Sequence, residues 1–248
     1  MALDPAFLSV PIAHRGLHGP GRPENSLAAA RAAIAAGHGI ECDIQPASDG
    51  TPMVFHDYDM MRLTGEAGHI ARLSPEELSR RRLLGTDQGI PTLAEFLELV
   101  AGQVPLLVEI KDQDGRLGPD HGPLPARVAR MLAEYDGPVA AMSFAPDTVA
   151  ACHAAAPDLA VGLTTCAFAA DDWGMVPPDR RAALARIDDY DRTGASFISH
   201  AHGDLCDPRV DALRAAGAGI LCWTIRSPEA EAAARRIAHN ITYEGYAP

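Results

Sequence analysis

The sequence predicts an α/β fold in which eight parallel strands close into a (β/α)8 barrel, and three observations support this. Short apolar runs alternate with Ala-rich amphipathic stretches, an order that implies βα units and a parallel sheet. Eight of these runs qualify as parallel strands, the number in such a barrel. The alternative is an open doubly wound sheet. It is disfavoured because no Gly-rich phosphate loop follows the first predicted strand in this sequence. The 248 residues fit one barrel-sized domain over 1–248.

Each predicted strand is a short apolar run, and the helices between them have recognisable start signals. Asn25 is expected to cap a helix over Ser26–Ala36. Ser74-Pro75-Glu76-Glu77 and Thr92-Leu93-Ala94-Glu95 both have capping-box spacing, and Ser227-Pro228 puts Pro in the first turn of the last helix. The predicted strands lie near Pro11–His14, Ile40–Ile44, Leu106–Ile110, Val139–Ser143, Ala160–Thr164, Ser196–Ser199, Ile220–Thr224 and Asn240–Thr242.

One further apolar run, Met53–His56, interrupts the alternation of strands and helices. About seven residues separate it from Gln45, and they include the turn signal Asp49-Gly50. A parallel neighbour would need a crossover of about a dozen residues or more. The run is therefore expected to fold back antiparallel on the second strand as a β-hairpin. The least regular segment, Lys111 to Pro125, is expected to be a mobile loop after the third strand.

The charge balance limits the classes of partner. With 21 Lys and Arg against 33 Asp and Glu, the formal net charge is −12, which argues against nucleic acid or an anionic membrane as the main partner. An anionic small molecule is still allowed, because it responds to the local field. No signal peptide or apolar run of the ~20 residues that a membrane helix needs is recognisable. The five cysteines show no close pairing, which favours reduced thiols and a cytoplasmic location.

Three acidic residues lie on neighbouring predicted strands near their carboxyl ends, which form the active-site face of a barrel. Glu41 and Asp43 are two residues apart and point to the same side of one strand, and Glu109 lies on the next parallel strand. Burying three carboxylates together is costly unless a cation neutralises them. Because oxygen ligands suit Mg²⁺ or Ca²⁺, the pattern predicts one divalent metal site. The alternative is that each acid pairs locally with Arg15 or Lys111.

Two histidines, His14 and His56, are expected to flank the same mouth of the barrel. A pair of histidines can act as acid and base, because the imidazole titrates near neutrality. Arg15 and Lys111 would supply cationic donors to a phosphate, and arginine can bind two oxygens at once. For either histidine alone, a satisfied structural side chain is the competing interpretation.

Three further residues are weaker candidates for substrate contacts. Glu24, at the start of the first helix, could orient Arg15 or a metal-bound water. Phe144 and Trp223 follow strand ends and could pack on a carbon skeleton such as glycerol. A lone aromatic residue is more often part of the core, which is the alternative for both.

In order and spacing, ten short motifs between residue 12 and about 225 resemble the glycerophosphodiester phosphodiesterase family. Each motif is weak alone, but the ordered set is specific. The motifs are Ala13-His14-Arg15-Gly16, Pro23-Glu24-Asn25-Ser26, Glu41-Cys42-Asp43, Asp49-Gly50, His56-Asp57, Arg62-Leu63-Thr64, Ile90-Pro91-Thr92-Leu93, Glu109-Ile110-Lys111, Ser143-Phe144 and Trp223-Thr224.

The resemblance implies a TIM-barrel hydrolase that splits glycerophosphodiesters into glycerol 3-phosphate and an alcohol. It implies that Glu41, Asp43 and Glu109 bind one divalent ion, that His14 and His56 are the acid–base pair, and that Arg15 and Lys111 contact phosphate. It also places a short capping segment, about 58–90, at the C-terminal face. The expected partner is a small phosphodiester, with no nucleic acid and no stable membrane association; the oligomeric state is left open.

One motif departs from the family pattern, and two other functions stay open. Members often end in Thr-Asp-x-Pro, but the matching place reads Thr242-Tyr243-Glu244-Gly245, so the contribution of the last strand to the site is undecided. Lysophospholipase D action on a lipid with one acyl chain is the nearer alternative. It ranks second because the predicted loops contain no long apolar run. The other alternative is a barrel that binds a phosphoester without turnover.

Overall fold

The computed structural model describes residues 1–248 and is a closed barrel of eight parallel strands surrounded by helices, as the sequence predicts. The strands, with one hairpin strand included, are β1 (Ile12–Ala13), β2 (Gly39–Pro46), β3 (Pro52–Val54), β4 (Leu106–Ile110), β5 (Val139–Ser143), β6 (Ala160–Thr165), β7 (Phe197–Ala201), β8 (Gly219–Ile225) and β9 (Asn240–Tyr243). Pairing runs β1-β2-β4-β5-β6-β7-β8-β9, and β9 closes the barrel on β1.

Ten helices occupy the connections, most of them outside the barrel. They are α1 (Ala6–Ser9), α2 (Leu27–Ala36), α3 (Met61–Thr64), α4 (Pro75–Arg80), α5 (Leu93–Val100), α6 (Leu124–Ala133), α7 (Pro146–Ala155), α8 (Pro178–Ala185), α9 (Pro208–Ala215) and α10 (Pro228–Ala234). Two 3₁₀ turns lie at Ile70–Arg72 and His202–Asp204. None of the helices combines the length and the apolar character needed to cross a membrane.

Three of the four predicted helix caps are confirmed, and one is wrong. Ser74 and Thr92 both form reciprocal capping boxes, and Ser227 caps α10. The prediction that Asn25 caps the first long helix is wrong. Ser26 caps it instead, accepting a hydrogen bond from the backbone N–H of Ala29. Asn25 is unavailable because its side chain is bonded to a strand carboxylate inside the barrel.

The hairpin prediction is confirmed. β3 pairs antiparallel with β2, with Ile44 opposite Val54 and Pro46 opposite Pro52. The strand is shorter than the predicted Met53–His56, because the chain leaves the ladder after Val54 and turns toward the mouth of the barrel. This turn carries His56 to the carboxyl end of β2.

The predicted capping segment packs around a small apolar cluster of its own. The cluster joins the hairpin to α3, α4 and the intervening 3₁₀ turn, so the segment after His56 has its own support. Its fully buried members include Met53, Phe55, Met60, Ile70, Leu78, Leu83 and Ile90.

Alternation along the strands separates the barrel interior from the shell of helices. On β2, Ile40, Cys42 and Ile44 pack outward in the main core, while Glu41 and Asp43 point inward. Toward the amino-terminal ends of the strands the interior is apolar, and Phe7 of α1 packs there. The apolar interior consists of Leu3, Phe7, Ile12, Leu107, Ala140, Met142, Ala160, Phe197 and Leu221.

The lower interior is close-packed at Gly162 of β6, which lies beside Phe197 of β7. A Cβ added to Gly162 would lie 2.4 Å from a ring atom of Phe197. We expect Gly162→Ala to lower the free energy of unfolding by about 1–3 kcal/mol, the usual cost of overpacking. Urea unfolding measures the change. The matched control is Gly203→Ala, where the new methyl meets nothing within 4 Å; equal effects in both variants would contradict the prediction.

Candidate active site

A cavity of about 800 Å³ opens at the carboxyl ends of the strands. Nine of the ten predicted site residues line it; Glu24 does not. Glu24 lies behind Arg15, so the structure supports contact with that guanidinium and not with a ligand. The nine residues in the cavity wall are His14, Arg15, Glu41, Asp43, His56, Glu109, Lys111, Phe144 and Trp223.

Three carboxylates form the centre of the cavity. One oxygen from each of Glu41, Asp43 and Glu109 lies within 4.8 Å of the others, and the residues are only 2%, 1% and 5% exposed. Their position follows from the register, because Asp43 of β2 pairs with Glu109 of β4 in adjacent parallel strands. The same inward orientation brings Glu41 one layer deeper.

Two cations face these carboxylates. Lys111 Nζ lies 2.7 Å from Asp43 Oδ1 and also donates a hydrogen bond to Glu109. Arg15 Nε lies 3.2 Å from Asp43 Oδ2, and its backbone N–H donates to Glu41 Oε2 at 2.9 Å. The local ion pairs considered as an alternative are therefore present alongside the acidic cluster.

The loop after β1 adopts unusual backbone conformations to make these contacts. Arg15 and Asn25 have φ of 55° and 56°, in the left-handed region that non-glycine residues seldom occupy. Asn25 donates from Nδ2 to Asp43 Oδ2 at 2.8 Å and accepts from the Asp43 N–H at 3.1 Å. These two bonds fix Asp43 and compensate for the strained backbone.

Electrostatics distinguish the acids from one another. Burial, together with Asp43 and Glu109, raises the pKa of Glu41 well above its ordinary value. Burial also acts to raise the pKa of Asp43, but Lys111, His56 and Arg15 outweigh it and hold that pKa well below the usual range. The two cations therefore favour the anionic form of Asp43 more than that of Glu41. Three carboxylates make an all-oxygen donor set, which fits a divalent cation.

Both histidines bind a carboxylate through Nδ1. His14 Nδ1 lies 2.5 Å from Glu244 Oε2, and His56 Nδ1 lies 2.7 Å from Asp57 Oδ1. The opposite nitrogen of His14, Nε2, lies 3.9 Å from Glu41 Oε2, on the side of the acidic cluster. Each histidine ring is thus held by a carboxylate other than those of Glu41, Asp43 and Glu109, the acidic cluster.

Arg62 of the capping segment connects Asp57, which binds His56, to Glu24, which binds Arg15. It donates to Asp57 Oδ2 at 2.6 Å and to Glu24 at 2.7 and 2.9 Å. Glu24 in turn accepts from Arg15 Nη1 at 2.6 Å. Burial acts to raise the pKa of Glu24, but hydrogen bonds from Arg62 and Arg15 lower it below the ordinary value. The cap therefore helps to hold Arg15.

The opposite wall of the cavity is apolar. Phe144 packs edge-on against Trp223, with 5.4 Å between ring centroids, and lies tilted against Trp173, with 5.0 Å between centroids. Met175 continues this wall and is 76% exposed. Leu117 also lines it, from the loop after β4. We call Leu117, Phe144, Trp173, Met175 and Trp223 the apolar wall.

Two inward hydroxyls, on the strands either side of β8, also face the cavity. Ser199 of β7 and Thr242 of β9 are fully buried, and neither side-chain oxygen has a hydrogen-bond partner in the protein. A buried polar atom without a partner is costly. Both hydroxyls are therefore free to bond to a ligand or water in the cavity.

Comparison with known proteins decides the family. The family model described as "Glycerophosphoryl diester phosphodiesterase family" matches residues 14–241. The chain belongs to this family. Rat glycerophosphodiester phosphodiesterase 1 is 36% identical over 110 residues, which are 40% of this chain and 33% of the rat protein. A glycerophosphodiester phosphodiesterase of Caldanaerobacter subterraneus is 35% identical over 113 residues, 42% of this chain and 45% of that protein.

These two matches span between about a third and a half of the relatives' length. A solved structure extends the likeness in fold to nearly the whole chain. It is a phosphodiesterase of Oleispira antarctica in complex with the product sn-glycerol-3-phosphate, with a TM-score of 0.75 at 24% identity over 96% of this chain and 94% of that one.

In this member of the glycerophosphoryl diester phosphodiesterase family, the structure adds residues that the sequence did not single out. Glu244 lies at the carboxyl end of the last strand, which was a signal available in the sequence. Trp173 and Met175 lie in the long connection from β6 to α8, where no periodicity marks them. Asp57 and Arg62 belong to motifs of the resemblance but had no role assigned.

The raised pKa of Glu41 has a consequence for stability. In protein treated with EDTA, the folded state keeps a proton on Glu41 at pH values where the unfolded chain has released it. Glu41 therefore contributes stability that is fully present below its ordinary value of 4.5 and is lost as the pH rises through the raised pKa. We expect Glu41→Gln to gain stability relative to wild type as the pH rises, measured by urea unfolding from about pH 4 to pH 8.

The control for this experiment is Glu98→Gln, on the exposed face of α5. It removes a carboxylate outside the cavity, and its stability difference from wild type is measured over the same pH range. A stability difference for Glu41→Gln that does not change with pH would contradict the prediction.

Proposed function

We propose that this protein is a metal-dependent hydrolase that converts glycerophosphodiesters into glycerol 3-phosphate and an alcohol. The observation that carries the proposal is the convergence of the acidic cluster, two carboxylate-bound histidines and two cations in one cavity. Family membership and the product bound to the Oleispira phosphodiesterase support the same substrate class. The cation is Mg²⁺ or Ca²⁺, since all three ligands are carboxylates.

Glu41, Asp43 and Glu109 would hold the cation. When bound, it supplies charge stabilisation to the phosphoryl oxygens. Arg15 and Lys111 add fixed positive charge on the same side of the cavity, and Arg15 is pre-oriented by Glu24. Burial acts to lower the pKa of Lys111, but Asp43 and Glu109 raise it, so the ammonium stays charged. Ser199 and Thr242 are available for the hydroxyls of the glycerol.

The two histidines divide the proton transfers. Burial, as the largest cause, lowers the pKa of His56, which favours a neutral ring able to take the proton of the nucleophile. His14, whose Nδ1 binds the carboxylate of Glu244, is suited to carry a second proton on Nε2 and to give that proton to the leaving alcohol. The same pair serves direct attack by water and attack by a neighbouring glycerol hydroxyl, which gives a cyclic phosphate that water then opens.

His14→Ala and His56→Ala should each lower kcat for glycerophosphocholine by roughly 10²–10⁴, the usual contribution of a general acid or base. The assay measures release of glycerol 3-phosphate with Mg²⁺, Ca²⁺ and Mn²⁺ in turn, and EDTA should abolish it. His121→Ala is the matched control, because this half-buried histidine lies outside the cavity and its ring bonds to the backbone carbonyl of Gly122.

Near-normal turnover in both histidine variants would contradict their roles. Binding of glycerophosphocholine without release of glycerol 3-phosphate under any of the three ions would instead favour the non-catalytic barrel.

The apolar wall favours a second candidate, hydrolysis of lysophospholipids. No long apolar run is present in the loop sequences, but folding brings Leu117, Phe144, Trp173, Met175 and Trp223 together from separate loops and strand ends. The wall borders the cavity that holds the acidic cluster, so a single acyl chain has an apolar surface to lie on. We keep it second because the wall is equally able to cover the carbon atoms of a smaller alcohol.

Replacing the exposed Met175 separates the two substrates. We expect Met175→Gln to lower kcat/KM for lysophosphatidylcholine roughly tenfold, because burial of a methionine side chain contributes about 1.5 kcal/mol. Glycerophosphocholine should be unaffected. The matched control is Met61→Gln, a methionine that is 51% exposed and lies outside the cavity. Absence of any activity on lysophosphatidylcholine would exclude this candidate.

A further inference from the structure

Glu244 immediately follows the last barrel strand, at the place where the chain departs from the usual family motif. Its backbone N–H donates to the carbonyl of Ile225 at the end of β8, at 2.9 Å, which fixes the backbone over the mouth of the barrel. The side chain is 20% exposed and points toward the loop after β1. It is therefore placed to act on the first histidine.

Both oxygens of this carboxylate are held. Oε1 accepts from Arg226 Nε at 2.7 Å, with Nη2 of the same arginine also at 2.7 Å. Oε2 lies 2.5 Å from His14 Nδ1 and 3.5 Å from His18 Nε2. The hydrogen bonds from His14 and His18 hold the pKa of Glu244 well below its usual range. The group is an anchored carboxylate and not a mobile surface acid.

An ionised carboxylate can only accept hydrogen bonds, so the ring nitrogen facing it must carry the proton. The proton on Nδ1 is thus fixed in place. Nε2 carries the transferred proton when the ring is a cation and a lone pair when the ring is neutral. Nε2 lies on the side of the acidic cluster, 3.9 Å from Glu41 Oε2. Asp57 holds Nδ1 of His56 in the same way.

We propose that Glu244 is a positioning residue that holds His14 in the orientation and tautomer with Nε2 facing the reacting phosphodiester. The inference deepens the proposed function, on which its catalytic consequence rests. Arg226 assists by occupying the other carboxylate oxygen, so that Glu244 cannot turn away from the histidine. The departure from the family motif thus keeps a carboxylate at the barrel mouth.

The kinetic experiment compares Glu244→Gln with Glu244→Asp. The amide of Glu244→Gln can turn its NH₂ toward Nδ1 and drive the ring proton to Nε2. We expect kcat for glycerophosphocholine to fall on the order of 10²-fold with KM changed less than about threefold, as for other residues that orient a catalytic group. Glu244→Asp keeps an acceptor and should recover part of the loss. Glu98→Gln, on the exposed face of α5, is the control and should match wild type.

The second readout is the ¹⁵N spectrum of the His14 ring in the Mg²⁺-loaded protein, at a pH where the ring is neutral. Wild type and Glu244→Asp should show the Nδ1–H tautomer, and Glu244→Gln should shift toward Nε2–H. This spectrum needs no turnover, so it tests Glu244 even if the protein proves not to hydrolyse glycerophosphodiesters.

Wild-type protein in the Nε2–H tautomer would overturn the proposal, whether or not any variant folds. A folded Glu244→Gln variant with wild-type kcat would overturn it as well. A third outcome would also contradict the proposal: Glu244→Asp and Glu244→Gln lose kcat equally while both keep the Nδ1–H tautomer. Glu244 would then have a structural role only.

Discussion

The burial of three carboxylates on two adjacent strands is the constraint on which the rest of the barrel mouth depends. Glu41, Asp43 and Glu109 are almost fully removed from water, and carboxylates in that position are costly unless cations and hydrogen bonds compensate them. Lys111 compensates from the end of the strand that carries Glu109, and Arg15 from the loop after β1. Burial and the neighbouring acids raise the pKa of Glu41 despite these two cations, and three carboxylate ligands together suit a divalent ion.

The remaining polar contacts hold the groups that surround the carboxylates. Glu24 and Arg62 connect Arg15 to Asp57 and so to His56. Arg62 of the cap therefore helps to hold both Arg15 and His56 in place. The hairpin and the small apolar cluster beneath the cap make this possible, because they carry His56 back to the mouth of the barrel. Opposite these charged groups the apolar wall borders the same cavity. A phosphodiester could therefore place its phosphate and its alcohol against surfaces of different chemistry.

Prediction from the sequence succeeded where a residue's role follows from its own strand. Two-residue spacing on β2 put Glu41 and Asp43 on one side, and the short connection to β3 required an antiparallel hairpin. Prediction was wrong for Asn25, a residue type favoured at helix starts, because the carboxylate of Asp43 competes for its side chain. The partner of His14 could not be found this way either, since 230 residues separate it from Glu244.

By itself the sequence determined the barrel, the hairpin and the inward direction of the acidic residues, because strand alternation and connection length are local properties of the chain. The tertiary structure decided which groups from distant strands meet. Closure of β9 on β1 brought Glu244 to His14, and the packing of separate loops assembled the apolar wall from residues that no run of sequence contains. Such meetings depend on the order and tilt of all eight strands, which no single segment encodes.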